Sequence, residues 1–329
     1  MSTAALRAAM VPVTRQMRAY FAPVSRENET PTIFDPGLCG GFALDAPPSP
    51  WLDLGWVENF ERWYETPTDA VRWGAKALPA GQFRGALEAR VGFDFVQWGK
   101  LQMALAGGSE HMNVLAPAGN TSPAPSGGTP APGVAVLPGS TASELILGDG
   151  AVGGFPAGFV VAVDVDYQQQ TGYVGSGIAA AYVGSAAAVK QDPNYVRRVT
   201  FNVGRVAQVT ATSIVLAQPL LGGAPAEGAS AQVVVAFVDR EGGSFFQEWS
   251  ALFVAEEESG GRVCFYYPRL SASSAAGKGA REELKAIAKP LSAISLRASF
   301  LALPHTDTND GQMVLCYRSY FPAGMAGVY

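Results

Sequence analysis

Two histidines are all this chain offers for proton transfer near neutral pH. His305 sits in LPHTDTNDGQ, two residues before Asp307. A histidine beside a carboxylate is the beginning of a catalytic triad or a metal site. No HExxH, no GxSxG and no Cys/His ligand spacing accompanies it. Its surroundings are Pro, Thr, Asp, Asn and Gly, which is turn chemistry, with Asp and Asn bonding their own backbone. His111, in GGSEHMN, is no better placed. The run Gly175-Ser176-Gly177-Ile178-Ala179-Ala180 fits GxGxxA, but a dinucleotide site needs a preceding strand, a following helix and an acidic residue about 20 positions on. Its Gly/Ala-rich, β-like setting supplies none of these. Asp164 and Asp166 share one side of a strand and could hold a cation, although a solvent-facing edge is the simpler expectation. Glu256, Glu257 and Glu258, followed by Ser259-Gly260-Gly261, read as a solvated turn. Cys39, Cys264 and Cys316 are odd in number, far apart and without a CxxC, so they indicate neither zinc nor a disulfide framework. Reduced, partly buried thiols are expected. The expectation is no catalytic residue, no cofactor and no metal: a protein that is not an enzyme. The competing enzymatic reading is a hydrolase using His305 and Asp307.

Aromatic residues are the other candidates for recognition. Trp51, Trp56, Trp63, Tyr64 and Trp73 fall within a short stretch behind Pro47, Pro48 and Pro50. Such rings can form a sugar-binding platform, and they can equally fill a core or anchor a seam between subunits.

Composition narrows the choice. Only 16% of the 329 residues are charged, against roughly 25% in an ordinary soluble domain. Hydrophobic residues make up 48%, yet no run approaches the ~20 apolar positions of a membrane helix. Either other protein copies cover much of the surface, or the composition is simply Ala/Gly-rich. A net charge of −5 argues against a protein that grips phosphates. It does not exclude a conduit that must avoid gripping them. Arg7, Arg15 and Arg18 surround a weak apolar run broken by Pro12. No secretory signal is read there, and a mobile arm is expected.

The elements that would carry these residues are mostly strands. Residues 84–95 alternate, with Leu87, Ala89, Val91, Phe93 and Phe95 on one side and Arg84, Glu88, Arg90 and Asp94 on the other. The period then becomes helical, with Trp98, Leu101 and Leu105 on a stripe that ends at Gly107-Gly108. Further strands are expected at 51–60, 262–269, 294–303 and 312–321, and a helix at 281–289. In 294–303, Ile294, Leu296, Ala298 and Phe300 oppose Ser295, Arg297 and Ser299. Residues 116–142 are rich in Pro, Gly, Ser and Thr and read as a linker, with a second break at 241–243. Between them, 159–167, 195–209, 212–218 and 231–238 suggest a small all-β barrel or sandwich, with a hairpin around Ala211. Neither flank alone has enough strands for a stable sheet. The expected fold is therefore mainly β: a discontinuous β-sandwich or barrel core with one or two short packed helices, 1–118 and 243–329, interrupted by an inserted β-domain, 119–242.

Three stretches, PWLDLGWVENFER at 50–62, ALEARVGFDFVQWGKLQMALAGG at 86–108 and SLRASFLALPHTDTNDGQMVLCYRSYFP at 295–322, together resemble the tail-tube (major tail) proteins of long-tailed bacteriophages. The resemblance covers the two flanks and not the insert. It implies a structural virion protein assembled in the host cytoplasm, six copies closing into a ring and rings stacking into a hollow tube. Strands of all six copies would join around a lumen that conducts DNA non-specifically. Its partners would be further copies of itself, a tape-measure protein in the lumen, and tail-end and terminator proteins, with no membrane span. On that view Arg84, Glu88, Arg90, Asp94, Ser295, Arg297 and Ser299 form a lumen or subunit-interface face. Trp51, Trp56, Trp63 and Tyr64 are interface or core aromatics. The alternatives are a carbohydrate-binding or adhesive β-protein resting on the Trp cluster and, within the virion, a capsid decoration or tail-terminator protein.

Overall fold

A computed structural model describes residues 14–24, 29–37, 42–66, 68–73, 78–85, 87–108, 110–116, 131–164, 169–171, 180–182, 202–221, 223–240, 247–258, 260–273 and 295–322. The fold is mainly β. In chain order it contains β1 (Thr14–Pro23), β2 (Leu52–Glu65), β3 (Thr68–Trp73), β4 (Leu78–Arg84), β5 (Glu88–Phe95) and helix α1 (Lys100–Gly107). Next come β6 (Glu110–Leu115), β7 (Val134–Ala135), β8 (Glu144–Ile146), β9 (Val160–Asp164), β10 (Gln169–Thr171) and β11 (Ala180–Tyr182). β12 (Val203–Val209), β13 (Ser213–Leu216) and β14 (Ser230–Arg240) follow. The last are β15 (Glu248–Glu257), β16 (Arg262–Ala272), β17 (Leu296–Ala302), β18 (His305–Thr306), β19 (Met313–Val314) and β20 (Tyr317–Phe321). The chain divides into two units: Met1–Ser25, Thr30–Gln97 and Glu248–Tyr329 form one, and Arg26–Glu29 and Trp98–Gln247 the other.

The first unit is built on a closed barrel of six antiparallel strands, in the order β15-β1-β2-β5-β17-β16, with β15 pairing to β16 to complete the circle. Strand alternation sends Phe21, Phe93, Phe95, Phe253 and Phe300 inward, where all are fully buried. A barrel this small is filled by its own side chains, so its interior is a core and not a pore. A second apolar cluster lies on the outside of β1, β15 and β16. Tyr20, Leu252, Val254 and Tyr266 pack there under Phe34, Phe42 and Trp51 of the segment between β1 and β2. With both faces covered, Trp249–Ala255 lose the alternation of a half-exposed strand, and every residue from 248 to 255 is buried.

Several expectations shift. The strand read from Arg84 onward starts at Glu88; Arg84 closes the preceding strand β4, and Leu87 between them is exposed. The strand read at 51–60 runs on to Glu65. Of the expected N-terminal arm, residues 1–13 lie outside the described residues, while Thr14 onward is β1, a barrel strand between β2 and β15. The apolar run from Met17 to Ala22, broken only by Arg18, is a strand signal that the arginines obscured. Trp98 precedes α1 and is largely exposed, which leaves Leu105 as the buried end of the expected stripe. Gly108, at φ 61°, ends that helix in a left-handed turn that costs glycine nothing. The helix expected at 281–289 lies outside the described residues.

In the second unit the sheet runs β10-β11-β6-β14-β9-β12-β13-β8, with β7 also on β14. Leu145, Val161, Val163, Val206, Ile214 and Ala231 form its core. β12 and β13 are the expected hairpin, closed where the Thr210 N–H donates to Ser213 O over 2.8 Å. α1 and β6, expected with the first flank, fall in this unit, and β6 pairs with β14 through Met112↔Val238 and Asn113↔Phe237. The second half of the expected linker is folded as well. Val134 pairs with Ala231 and packs on the core, and the Leu137 N–H donates to Ile146 O over 2.8 Å. Val134 and Val136, packed on the core, together with a ladder partner outweigh the flexibility that the Pro/Gly composition suggested.

Candidate functional site

The polar surface expected on residues 84–95 exists as the outer face of β2, β5 and β17. Ala89, Val91, Phe93 and Phe95 point into the barrel, which turns Glu88, Arg90, Gly92 and Asp94 outward. On one side β5 pairs with β17, placing Asp94 opposite Arg297, Gly92 opposite Ser299 and Arg90 opposite Leu301. On the other side Asp94 meets Glu58, Gly92 meets Glu61, Arg90 meets Trp63 and Glu88 meets Glu65. The face therefore carries five carboxylates, Glu58, Glu61, Glu65, Glu88 and Asp94, against the guanidiniums of Arg90 and Arg297. Like charges directly across a ladder repel. Arg297 relieves this in the middle of the face, donating to Asp94 Oδ1 at 3.2 Å and Glu61 Oε2 at 3.0 Å. A bulge between Glu58 and Glu61, with Asn59 at φ 49°, brings Asn59 Nδ2 to Asp94 Oδ2 at 2.7 Å.

Gly92 makes this arrangement possible. A Cβ there would lie 2.8 Å from Arg297 Nη2 and 3.0 Å from the Trp63 ring, so the backbone of β5 is the floor on which both rest. Gly92→Val is expected to displace both side chains and to lower stability by about 1 kcal/mol. Urea unfolding measures this, and a variant as stable as its parent would show that the site has room to spare. Neither Gly92 nor Asn59 stood out in the sequence; an isolated glycine inside an alternating strand was the available signal.

The aromatic candidates separate. Trp51 is buried, its ring 6.0 Å from Phe42 and 6.3 Å from Tyr266. Trp56 lies beneath the Arg18 guanidinium at 5.4 Å, and Arg18 is held by Asp53 (Nε to Oδ1, 3.0 Å) and by Asp45 (2.6 Å). These two rings are occupied by the protein itself. Trp63 and Tyr64 are 49% and 73% exposed near the end of β2. Arg84 belongs to β4, which with β3 forms a separate two-stranded sheet. Ser295 is exposed just before β17, and Arg297 and Ser299 lie half-buried on the outer face.

His305 and Asp307 sit elsewhere, at an open cleft of about 310 Å³ lined by Phe34, Asp35, Tyr266 and Tyr317 among others. Asp307 is the expected turn carboxylate: Oδ1 accepts the Asn309 N–H at 2.9 Å, and Oδ2 accepts the Tyr317 hydroxyl at 2.7 Å. These bonds hold its carboxyl below the usual range. Burial and the bond to Asp307 push Tyr317 up to about 12. The carboxylate is thus committed to the turn.

The remaining candidates are dispersed. His111 lies in β6 opposite Asp239. Asp164 ends β9 opposite Ser230, and Asp166 lies outside the described residues. Of the GxGxxA run only Ala180 is described, in strand β11 and not at the start of a helix. Glu256 pairs with Arg262 at 3.1 Å across the turn that joins β15 to β16. Cys264 is buried and Cys316 half-buried, and Cys39 lies outside the described residues. Among the described residues, no group of three or more His, Cys, Asp and Glu is placed to hold a metal ion, and no helix is long and apolar enough to cross a membrane. No protein-family model matches the chain, and no curated protein matches it.

Proposed function

We propose that this chain is the repeating subunit of a phage tail tube, a structural virion protein whose copies close into hexameric rings that stack around a DNA-conducting lumen. One observation carries the reading. The segments on which the tail-tube resemblance rests lie far apart in sequence, yet they supply β2, β5 and β17, three neighbouring strands that share one outer face. The carboxylates of that face outnumber its guanidiniums, which suits a surface past which DNA slides without being gripped. On this reading the tape-measure protein occupies the lumen before DNA, and tail-end and terminator proteins cap the tube.

Negative-stain microscopy of the purified protein and of virions is the test. Stacked rings with an open bore, and antibody labelling along the tail shaft, are the expected result. A protein that is monomeric at every concentration and absent from tails would end the proposal.

A further inference from the structure

The barrel wall is interrupted at one place. β15 pairs with β16 from Glu256↔Arg262 to Glu248↔Ser271, so β17 and β20 both lie along the opposite edge of β16. β17 takes Leu270 to Ala272, and β20 takes Arg262 to Tyr266, both antiparallel. The two are thus one line of strand, broken by the loop that carries β18 and β19. In the next line out, β17 pairs with β5 from Leu296↔Phe95 to Ala302↔Ala89. Followed backward from Ala89, the chain of β5 leads through Glu88 to β4. In an uninterrupted barrel β4 would be the neighbour of β20. Instead β4 pairs with β3 alone, and β20 with β16 alone, among the described strands. β3 and β4 extend the β2–β5 ladder, which passes from Glu65↔Glu88 to Thr68↔Arg84, as an arm with no third strand.

An isolated two-stranded ribbon is marginal in water, and open edges of this kind recruit further strands. We infer that β4 of one copy adds antiparallel to the edge of β20 in a neighbouring copy, repeating between copies the relation that β5 and β17 have within one. This rests on the tube-subunit reading and names its contact. The lengths agree: past Pro79, which has no N–H to give, residues 80–84 offer five positions to the five of β20. The charges also agree. Set antiparallel with Gln82 against Ser319, β4 brings its Leu78–Pro79 end, paired with Trp73 and Arg72 of β3, to the Phe321 end of β20. Glu256, Glu257 and Glu258 lie at the end of β20 where Phe321 pairs with Arg262. Because donor edge and acceptor edge differ, the contact runs head to tail, the type that closes into rings when the rotation permits.

Two measurements on the full chain test this. In the first, Gln82→Cys and Ser319→Cys proteins are prepared separately, mixed and mildly oxidised. A covalent dimer should form in the mixture beyond what either variant gives alone. In the second, residues 66–87 are replaced by Asn-Gly, a two-residue turn suited to joining Glu65 to Glu88. That protein should keep its β circular dichroism and cooperative melt, while its assembled fraction at a given concentration falls about tenfold or more. Should it fail to fold, the disulfide result decides. Rings that form without the disulfide and without the arm overturn the inference and leave the tube reading standing. A disulfide within open chains or simple dimers supports the contact and overturns the tube. A parent protein that stays monomeric and forms no mixed disulfide overturns both.

Discussion

Phe93→Ala is expected to destabilise the first unit by about 3–5 kcal/mol. Phe93 is fully buried at the meeting point of four rings. It lies edge-on to Phe95 at 4.9 Å, Phe253 at 5.2 Å and Phe21 at 6.4 Å, and stacks on Phe300 at 5.6 Å with an interplanar angle of 12°. Those neighbours come from β1, β15 and β17 as well as β5 itself, so removing one ring opens a void bounded on all sides by hydrogen-bonded strands. Such walls relax little, and the cavity persists. Ring pairs also contribute about 0.5–1.5 kcal/mol each beyond the area they bury, although the four are coupled and do not add. Against a total of about 5–15 kcal/mol for a domain, the loss is a large fraction. Chemical unfolding followed by near-ultraviolet circular dichroism measures it. Trp63→Ala, on the outside of the same ladder, should change stability by no more than about 0.5 kcal/mol. Equal losses at the two positions would mean that the barrel interior is not the core.

The same pair shows what could be read from sequence. The alternation around Phe93 identified its face correctly, because a strand with one dry side writes period two into the chain. It could not say where the strand began. Arg84 continues the alternation on paper, yet it belongs to another strand, since a two-residue period carries no mark for a break at residues 85–87. Trp51 and Trp63 were indistinguishable in composition. What separates them is that Phe34, Phe42 and Trp51 itself pack over the outer side of β1, β15 and β16, while the outer face at Trp63 is open among the described residues. Arg297 was visible as a polar position, but its pairing with Glu61 and Asp94 depends on a register between residues more than 200 positions apart. The folded half of the Pro-rich stretch was missed for a related reason: Val134 is stabilised by β14, a partner nearly 100 residues away. The turn around His305 was the most legible, because its chemistry is local. Asp307 bonds Asn309 and Tyr317 within the same stretch of chain.

Glu248→Ala should cost about 3–5 kcal/mol for a different physical reason. Glu248 begins β15 with only 6% of its side chain exposed, and its Oε1 accepts from Arg269 Nε, whose side chain is 15% exposed. β15 and β16 are adjacent in the barrel, and the Ser271↔Glu248 register brings Arg269 across to the carboxylate. Removing the carboxylate takes a close counter-charge from a guanidinium in a poorly hydrated place, where its bond to Pro304 O at 3.4 Å is long. The cost is mostly that of a desolvated guanidinium losing its counter-charge and not the value of the pair. Replacing both residues together, Glu248→Leu with Arg269→Met, should therefore recover most of the loss, because neither charge then needs solvation. The exposed pair Glu256 and Arg262 is the control. With side chains 42% and 23% exposed, it should give less than about 1 kcal/mol on Glu256→Ala and weaken further in salt. A double-mutant cycle by chemical unfolding at low and high ionic strength separates the cases. If Glu248→Ala proved as mild and as salt-sensitive as Glu256→Ala, water would reach the β15–β16 edge of the barrel. The buried start of β15 would then not be a dry seam.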